Sequence, residues 1–243
     1  MTDPLAIDPA LDPARIAPVF ARMGRLHLPG VFSPAAAAEV GAAFSADVPW
    51  VKSWRTNGPS LDGSLQDFEG LTPELRADFD ADMARAAQAG FCFRFDAWRL
   101  SDDINAGKRR GGALAPLEAV HDFLNSERFL GFVRAVTGEP RCDYCDVMVS
   151  RYRAGDFLSV HDDDIVGKKR LFAYVLNFTP VWRADWGGVL NFLDDDGHIA
   201  EGYTPAFNAL NLFRVPQAHA VTYVTPFAAG PRLSITGWVR TRQ

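Results

Sequence analysis

Tyr152-Arg153-Ala154-Gly155-Asp156-Phe157-Leu158-Ser159-Val160-His161-Asp162-Asp163-Asp164 is the stretch around which the rest of the chain arranges itself. Phe157–His161 has the make-up of a short strand entered from a Gly-Asp turn. His161 and Asp163 stand two apart, and in an extended chain residues i and i+2 project to the same side. An imidazole and a carboxylate leaving a strand end together can take two adjacent positions on one metal ion. A third ligand must then come from elsewhere. His219 is the candidate, because it opens another β-like run, His219-Ala220-Val221-Thr222-Tyr223-Val224-Thr225. Everything downstream of residue 140 then serves to bring His219 beside His161 and Asp163.

Short apolar runs alternate with turns through that region: Asp146–Tyr152, Phe157–His161, Arg170–Phe178, Val189–Leu193, Ile199–Tyr203, Ala209–Phe213, His219–Val224 and Leu233–Val239. Their Gly, Pro and Asp punctuation predicts a β-sandwich or jelly roll. Upstream the texture is mainly helical. Residues 1–12, rich in Asp and Pro, are expected to be loose. Helices are expected over Pro13–Met23, from Ser33-Pro34 to about Phe44, and from Thr72-Pro73 to about Ala89, with Pro in each first turn. Two more cover Leu117–Leu124 and Ser126–Val136, the last stopped by Gly138. Strand-like runs intervene at 25–28, near 50, and at 91–98, where apolar residues alternate. Residues 101–112 are polar and suit a surface loop, or a lid over a pocket. No linker divides the chain. The expectation is one α+β unit, residues 1–139 giving mainly helical support packed on one sheet of a jelly-roll core formed by 140–243.

Composition removes several function classes. Across 243 residues, 48% hydrophobic and 12% aromatic content suffices for a packed core, which excludes wholesale disorder. A formal net charge of −5 lacks the basic face of a nucleic-acid binder. No apolar run approaches the roughly 18 residues that span a bilayer, and Met1-Thr2-Asp3-Pro4-Leu5 does not open like a secretory signal. A cytoplasmic protein without nucleic-acid or membrane partners is expected, its oligomeric state left open. Cys142-Asp143-Tyr144-Cys145 has C-x-x-C spacing, but a structural zinc wants a second such pair. A redox pair opens a helix rather than a β-like run.

His27 in a Leu-His-Leu run, His121 in a helix and His198 in an acidic turn have no partner at ligand spacing and suit structural or solvated roles. His161 on its own would be no different; Asp163, His219 and Arg232 set it apart. In Arg232-Leu233-Ser234-Ile235-Thr236-Gly237-Trp238, Arg232, Ser234 and Thr236 share one face. An Arg pointing into a β-sandwich is costly without an anion. Its planar fork suits a carboxylate, and Ser234 adds a hydroxyl. The plainer alternative leaves Arg232 in solvent at a strand end.

Two His and one carboxylate with open positions are the ligand set of non-haem Fe(II) oxygenases. The wider pattern, Tyr152…Gly155…His161-x-Asp163…Leu176-Asn177…Gly187-Gly188-Val189-Leu190…Asn211-Leu212-Phe213…His219…Arg232-x-Ser234, resembles the Fe(II)/2-oxoglutarate-dependent dioxygenases, and within them the prolyl 4-hydroxylase-like branch. The resemblance implies a double-stranded β-helix, with Fe(2+) on His161, Asp163 and His219 and the distal carboxylate of 2-oxoglutarate on Arg232. It implies co-substrate contacts from Tyr152 and Ser234, ascorbate as a further ligand, O2 as reactant, and hydroxylation of a prolyl residue in a protein or peptide. Many relatives carry another co-substrate-binding Tyr or Thr on the strand matching Arg170–Phe178. Here the inward positions fall to Leu171, Ala173 and Val175, with Tyr174 pointing away. Trp54, Trp182 and Trp186 near the expected mouth suit either stacking on a proline ring or core packing; Trp238 is read as core. Three rival readings stand beside this one: an oxygenase of a small molecule such as a free amino acid, a cupin-like metal enzyme that uses no 2-oxoglutarate, and a non-catalytic β-sandwich binding module.

Overall fold

Pro in the first turn, preceded by a side chain that accepts a backbone N–H, starts three helices of the computed structural model, which describes residues 5–56 and 58–242. Asp12, Ser33 and Thr72 accept from Ala14, Ala36 and Leu75, satisfying N–H groups that a helix start otherwise leaves orphaned. In chain order the first half holds α1 (Pro13–Met23), β1 (Arg25–Pro29), α2 (Pro34–Ala43), β2 (Val51–Arg55), β3 (Leu61–Ser64), α3 (Leu65–Glu69), α4 (Pro73–Ala89), β4 (Phe93–Trp98), α5 (Leu100–Asn105), α6 (Ala115–Leu124) and α7 (Glu127–Thr137). Apart from a 3-10 turn at Ala184–Trp186, the second half is built of strands: β5 (Tyr144–Cys145), β6 (Met148–Tyr152), β7 (Phe157–His161), β8 (Arg170–Asn177), β9 (Leu190–Leu193), β10 (Ile199–Tyr203), β11 (Ala209–Arg214), β12 (His219–Val221) and β13 (Arg232–Arg240). No helix among the described residues is long and apolar enough to cross a membrane.

The strands form the double-stranded β-helix expected, antiparallel throughout, in the order β1-β11-β8-β13-β6-β4-β7-β12-β9-β10, with β2 beside β4 and β3, and β5 beside β13. Alternation along β8 creates two cores. Phe172, Tyr174 and Leu176 turn to a cluster shared with α1, α2, α6 and α7, while Ala173 and Val175 turn into the β-helix. β13 divides likewise: Ile235 and Val239 join the helical side, and Arg232, Ser234 and Thr236 face inward. Period-2 geometry thus separates a dry helix–sheet interface from a polar cavity.

Three expectations change. The first half is more than helical support, since β4 lies in the middle of the sheet, between β6 and β7. Residues 1–4 lie outside those described, but 5–12 are not loose: Leu5, Ile7 and Leu11 pack on the helical core, and Asp8 N–H donates to the Val31 carbonyl over 2.8 Å. The polar segment 101–112 begins as helix α5 rather than loop. It is tied down, with Ser101 N–H on the Val147 carbonyl and Val147 N–H on Ser101 Oγ. Buried Glu118 accepts from the N–H groups of Arg110 and Gly111 at the far end. Cys142 and Cys145 are buried free thiols, and burial pushes Cys142 up to about 11.

Candidate metal centre

β7 ends at His161, and the chain then turns. Asp163 has φ 65°, in the left-handed region that Asp tolerates better than most residues. The same-side rule for an extended chain is therefore not what joins Asp163 to His161. The turn folds the carboxylate back, placing Oδ1 3.5 Å from His161 Nε2 and Oδ2 3.5 Å from His219 Nε2. His219 arrives on β12, where it is the cross-strand partner of His161, with ring centroids 4.1 Å apart. One ligand atom from each of His161, Asp163 and His219 lies within 4.8 Å of the other two, a group that one cation can bridge.

Both imidazoles are held for that task. Nδ1 of His161 lies 3.0 Å from the Ser159 carbonyl, and Nδ1 of His219 lies 2.7 Å from the Gln217 carbonyl. Each Nδ1–H donates outward and leaves an Nε2 lone pair turned in, the arrangement that fixes tautomer and ring orientation at metal sites. Burial, helped by the neighbouring His161, pushes His219 down to about 4, so it is neutral at pH 7, as a ligand must be. A His whose folded pKa lies below its unfolded value binds fewer protons when folded. The metal-free protein is therefore expected to lose on the order of 3 kcal/mol of stability as pH falls from about 6.5 to about 4, and none of it above that window. Urea unfolding of chelator-treated protein across this range measures the slope, and His219→Asn should flatten it. An unchanged slope would discard the assignment.

The triad lies in a cavity of about 900 Å³. Phe213 meets the His219 ring edge-on at 4.7 Å, and Phe91 stands 5.1 Å from the His161 ring, so apolar faces close both sides. Arg170 Nη1 donates to the Asp163 carbonyl over 3.1 Å, and its guanidinium carbon sits 3.4 Å over the Trp238 ring. Trp238 therefore packs on the inner core, as expected, and also lines the cavity. Trp54 packs on Phe79, and Trp182 crosses Trp186; none of these three lines the cavity.

Deep in the cavity, Arg232 is 2% exposed. Its cross-strand partner is Tyr152, whose ring centroid is 5.0 Å from the guanidinium carbon. Arg232 Nε has no hydrogen-bond partner, and no carboxylate pairs with the group among the described residues. A buried cation in that state is matched to an anion from outside the chain. Ser234 is buried beside it, its Oγ 2.8 Å from Ser150 Oγ. Ser150 is not among the residues that the sequence singles out, although the alternation of Met148, Ser150 and Tyr152 on β6 places it on the cavity face. Of the inward residues expected on β8, Ala173 and Val175 line the cavity, whereas Leu171 packs on the helical core. Tyr174 packs its ring on the helical core, but its hydroxyl, which donates to the Asp146 carbonyl over 2.7 Å, reaches the cavity lining.

A buried ion cluster holds the turn between Tyr152 and β7. Lys52 Nζ reaches Asp96 at 2.9 Å and Asp156 at 2.8 Å, all three sealed from solvent. Asp156 in turn accepts from Arg153 N–H. At Gly155 (φ +91°) an added Cβ would meet Arg94 Nη2 at 2.4 Å, so only glycine lets that guanidinium donate to the Gly155 carbonyl. Lys52→Met should cost about 1–3 kcal/mol, because Asp96 keeps Arg151 at 2.8 Å and Arg153 at 2.9 Å and Asp156 keeps Arg94 at 3.3 Å, so each buried carboxylate loses one charge-assisted bond and not its last counter-ion. Chemical unfolding measures it, and a loss under about 1 kcal/mol would show the cluster to be solvated.

Residues 147–240 match the family model described as the 2OG-Fe(II) oxygenase superfamily. The chain is 32% identical over 119 residues to prolyl 3-hydroxylase OGFOD1 of Mus musculus, covering 46% of this chain and 21% of that protein. It is 31% identical over 109 residues to prolyl 3-hydroxylase sudestada1 of Drosophila melanogaster, covering 40% and 20%. The chain thus spans about a fifth of the length of these curated relatives. Among solved structures, a Pseudomonas putida prolyl-4-hydroxylase superposes with TM-score 0.58 at 17% identity, covering 96% of this chain and all 100% of that one. A Trichoplax adhaerens prolyl hydroxylase in complex with a hypoxia inducible factor peptide fragment gives 0.57 at 14% identity, covering 94% and 89%. At those identities the likeness is one of fold.

Proposed function

We propose that the chain is a 2OG-Fe(II) oxygenase that hydroxylates a prolyl residue in a protein or peptide, with Fe(II) held by His161, Asp163 and His219 and 2-oxoglutarate held by Arg232. The observation that carries this is the pairing, in one cavity, of a two-His, one-carboxylate group with a buried guanidinium that has no anion of its own. Both halves fit what the family requires: neutral imidazole nitrogens and a carboxylate oxygen for a divalent metal, and a forked donor for a dicarboxylate. When bound, Fe(II) and 2-oxoglutarate supply the oxidative decarboxylation that activates O2 for hydroxylation.

The remaining roles belong to the chain. His161 and His219 keep their Nε2 atoms aimed inward through the carbonyls of Ser159 and Gln217. Arg170 steadies Asp163 from behind. Arg232 fixes the co-substrate's distal end, with the Tyr152 phenol and the Ser150–Ser234 hydroxyl pair as neighbouring donors, so that its reactive end meets the metal in one orientation. Phe91 and Phe213 exclude water from the imidazoles. Ascorbate as the reductant that sustains turnover is part of the same proposal, on the family resemblance.

The test is Fe(II) titration under anaerobic conditions, followed by succinate release from 2-oxoglutarate with proline-containing peptides, free amino acids and no substrate, each with and without ascorbate. One Fe(II) per chain and peptide-stimulated succinate release are expected. No metal uptake would leave a binding module, and metal uptake with no 2-oxoglutarate consumption would leave a cupin-like enzyme. Stimulation by free amino acids alone would move the substrate to small molecules, and a rate indifferent to ascorbate would remove the reductant.

A further inference from the structure

We propose that Arg55 is a substrate-anchoring residue that takes a carboxylate, from an Asp or Glu side chain near the residue to be hydroxylated. This rests on the reading above that the substrate is a peptide. Five arginines line the cavity: Arg55, Arg99, Arg170, Arg232 and Arg240. Three have carboxylates within the chain, Arg99 with Asp62 at 2.6 Å, Arg170 with Asp163 at 3.5 Å and Arg240 with Asp146 at 3.0 Å. Arg232 lies deepest and is assigned to 2-oxoglutarate. Arg55 remains: its Nε is shut off from solvent with no acceptor, and no carboxylate pairs with it among the described residues.

Arg55 is also held in place. It ends β2, which is hydrogen-bonded to β3 on one side and β4 on the other. Its guanidinium carbon lies 5.0 Å over the ring of Phe91, which itself packs beside His161. The stack fixes the plane of the fork and strips water from one face, leaving the edge donors for a ligand. A carboxylate satisfies two of those donors at once, whereas a peptide carbonyl satisfies one. Asp102 and Asp164 at the same opening are exposed, and an unpaired carboxylate in water has no comparable need of a partner. Val160 and Ile165, each 50% exposed, line the opening too and suit apolar neighbours of the acidic residue.

The experiment uses proline-centred peptides identical except for their flanking positions, which carry Asp or Glu, Asn or Gln, or Lys. The readout is kcat/KM from peptide-dependent succinate release. The wild-type protein should favour the acidic set over the amide set by roughly 10- to 100-fold, the value of a charge-assisted bond. Arg55→Gln should abolish that preference, and Arg55→Glu should turn it toward the Lys set, with Fe(II) uptake reporting that both variants are folded. A flat series in the wild type, or a preference that survives Arg55→Gln, overturns the proposal while leaving the peptide reading intact. If no peptide of any charge stimulates the wild type, the peptide reading falls and this proposal falls with it.

Discussion

Asp163→Asn should take up no stoichiometric Fe(II) and release no succinate from 2-oxoglutarate above the protein-free rate. Asp163 is the one anionic member of the ligand group, so its loss leaves a dication facing two neutral imidazoles. It also leaves Arg170, whose Nη1 lies 3.5 Å from Asp163 Oδ1, as an uncompensated positive charge at the metal's door. Partners outside the ligand set are already worth about 10–100-fold in metal affinity, so removal of the anionic ligand itself should cost at least about 100-fold. Asn is a sharper probe than Ala here. Position 163 has φ 65°, where Ala is strained by roughly 1–2 kcal/mol and Asn is tolerated. The hydrogen bonds from His161 and His219 to the backbone do not involve Asp163, so both imidazoles stay aimed inward in metal-free Asp163→Asn. Calorimetric Fe(II) titration and succinate assay measure the effect together. Full turnover by this variant would remove the triad as the reaction centre.

That triad is legible in the sequence because three residue types recur at meaningful spacing, yet strand alternation is not the reason the spacing works. His161 belongs to a strand and Asp163 to the turn after it, so a positive φ, not alternation, makes them neighbours. Alternation does hold along β13, where Arg232, Ser234 and Thr236 all face the cavity. Carried two residues further it also places Trp238 there, where the ring both packs on the inner core and lines the cavity. Helix starts are legible to the residue at Pro13, Pro34 and Pro73, since proline and its preceding cap act locally. α5 is not, because it has no side-chain cap and is held from outside by Val147. Arg55 and Lys52 are invisible for a related reason. Their strand reaches the cavity only because β2 pairs with β4, and β4 inserts between β6 and β7. Nothing local in residues 51–55 encodes a pairing that distant.

Arg232→Met separates co-substrate binding from folding, and its two effects have opposite signs. In the ligand-free protein Arg232 is a buried cation with an orphaned Nε, and burial pulls its pKa down, the sign expected of a charge without its anion. Met fills a comparable volume without desolvating a charge, so the ligand-free variant should be at least as stable as the wild type. Its affinity for 2-oxoglutarate should fall by roughly 2–4 kcal/mol, about 30- to 1000-fold, because a carboxylate brought into that floor would be desolvated with no cation to meet it. Tyr152 and the Ser150–Ser234 pair remain but carry no charge. Ligand-induced stabilisation grows with the logarithm of concentration over Kd. The rise in melting temperature that 2-oxoglutarate gives the metal-loaded wild type should therefore vanish in Arg232→Met at the same concentration. Arg232→Lys, which keeps the charge but not the fork, should fall between the two. An equal rise in wild type and Arg232→Met would mean that the guanidinium does not hold the co-substrate, whatever the metal site does. A marked loss of ligand-free stability in Arg232→Met would mean that the buried cation has an anionic partner inside the protein after all.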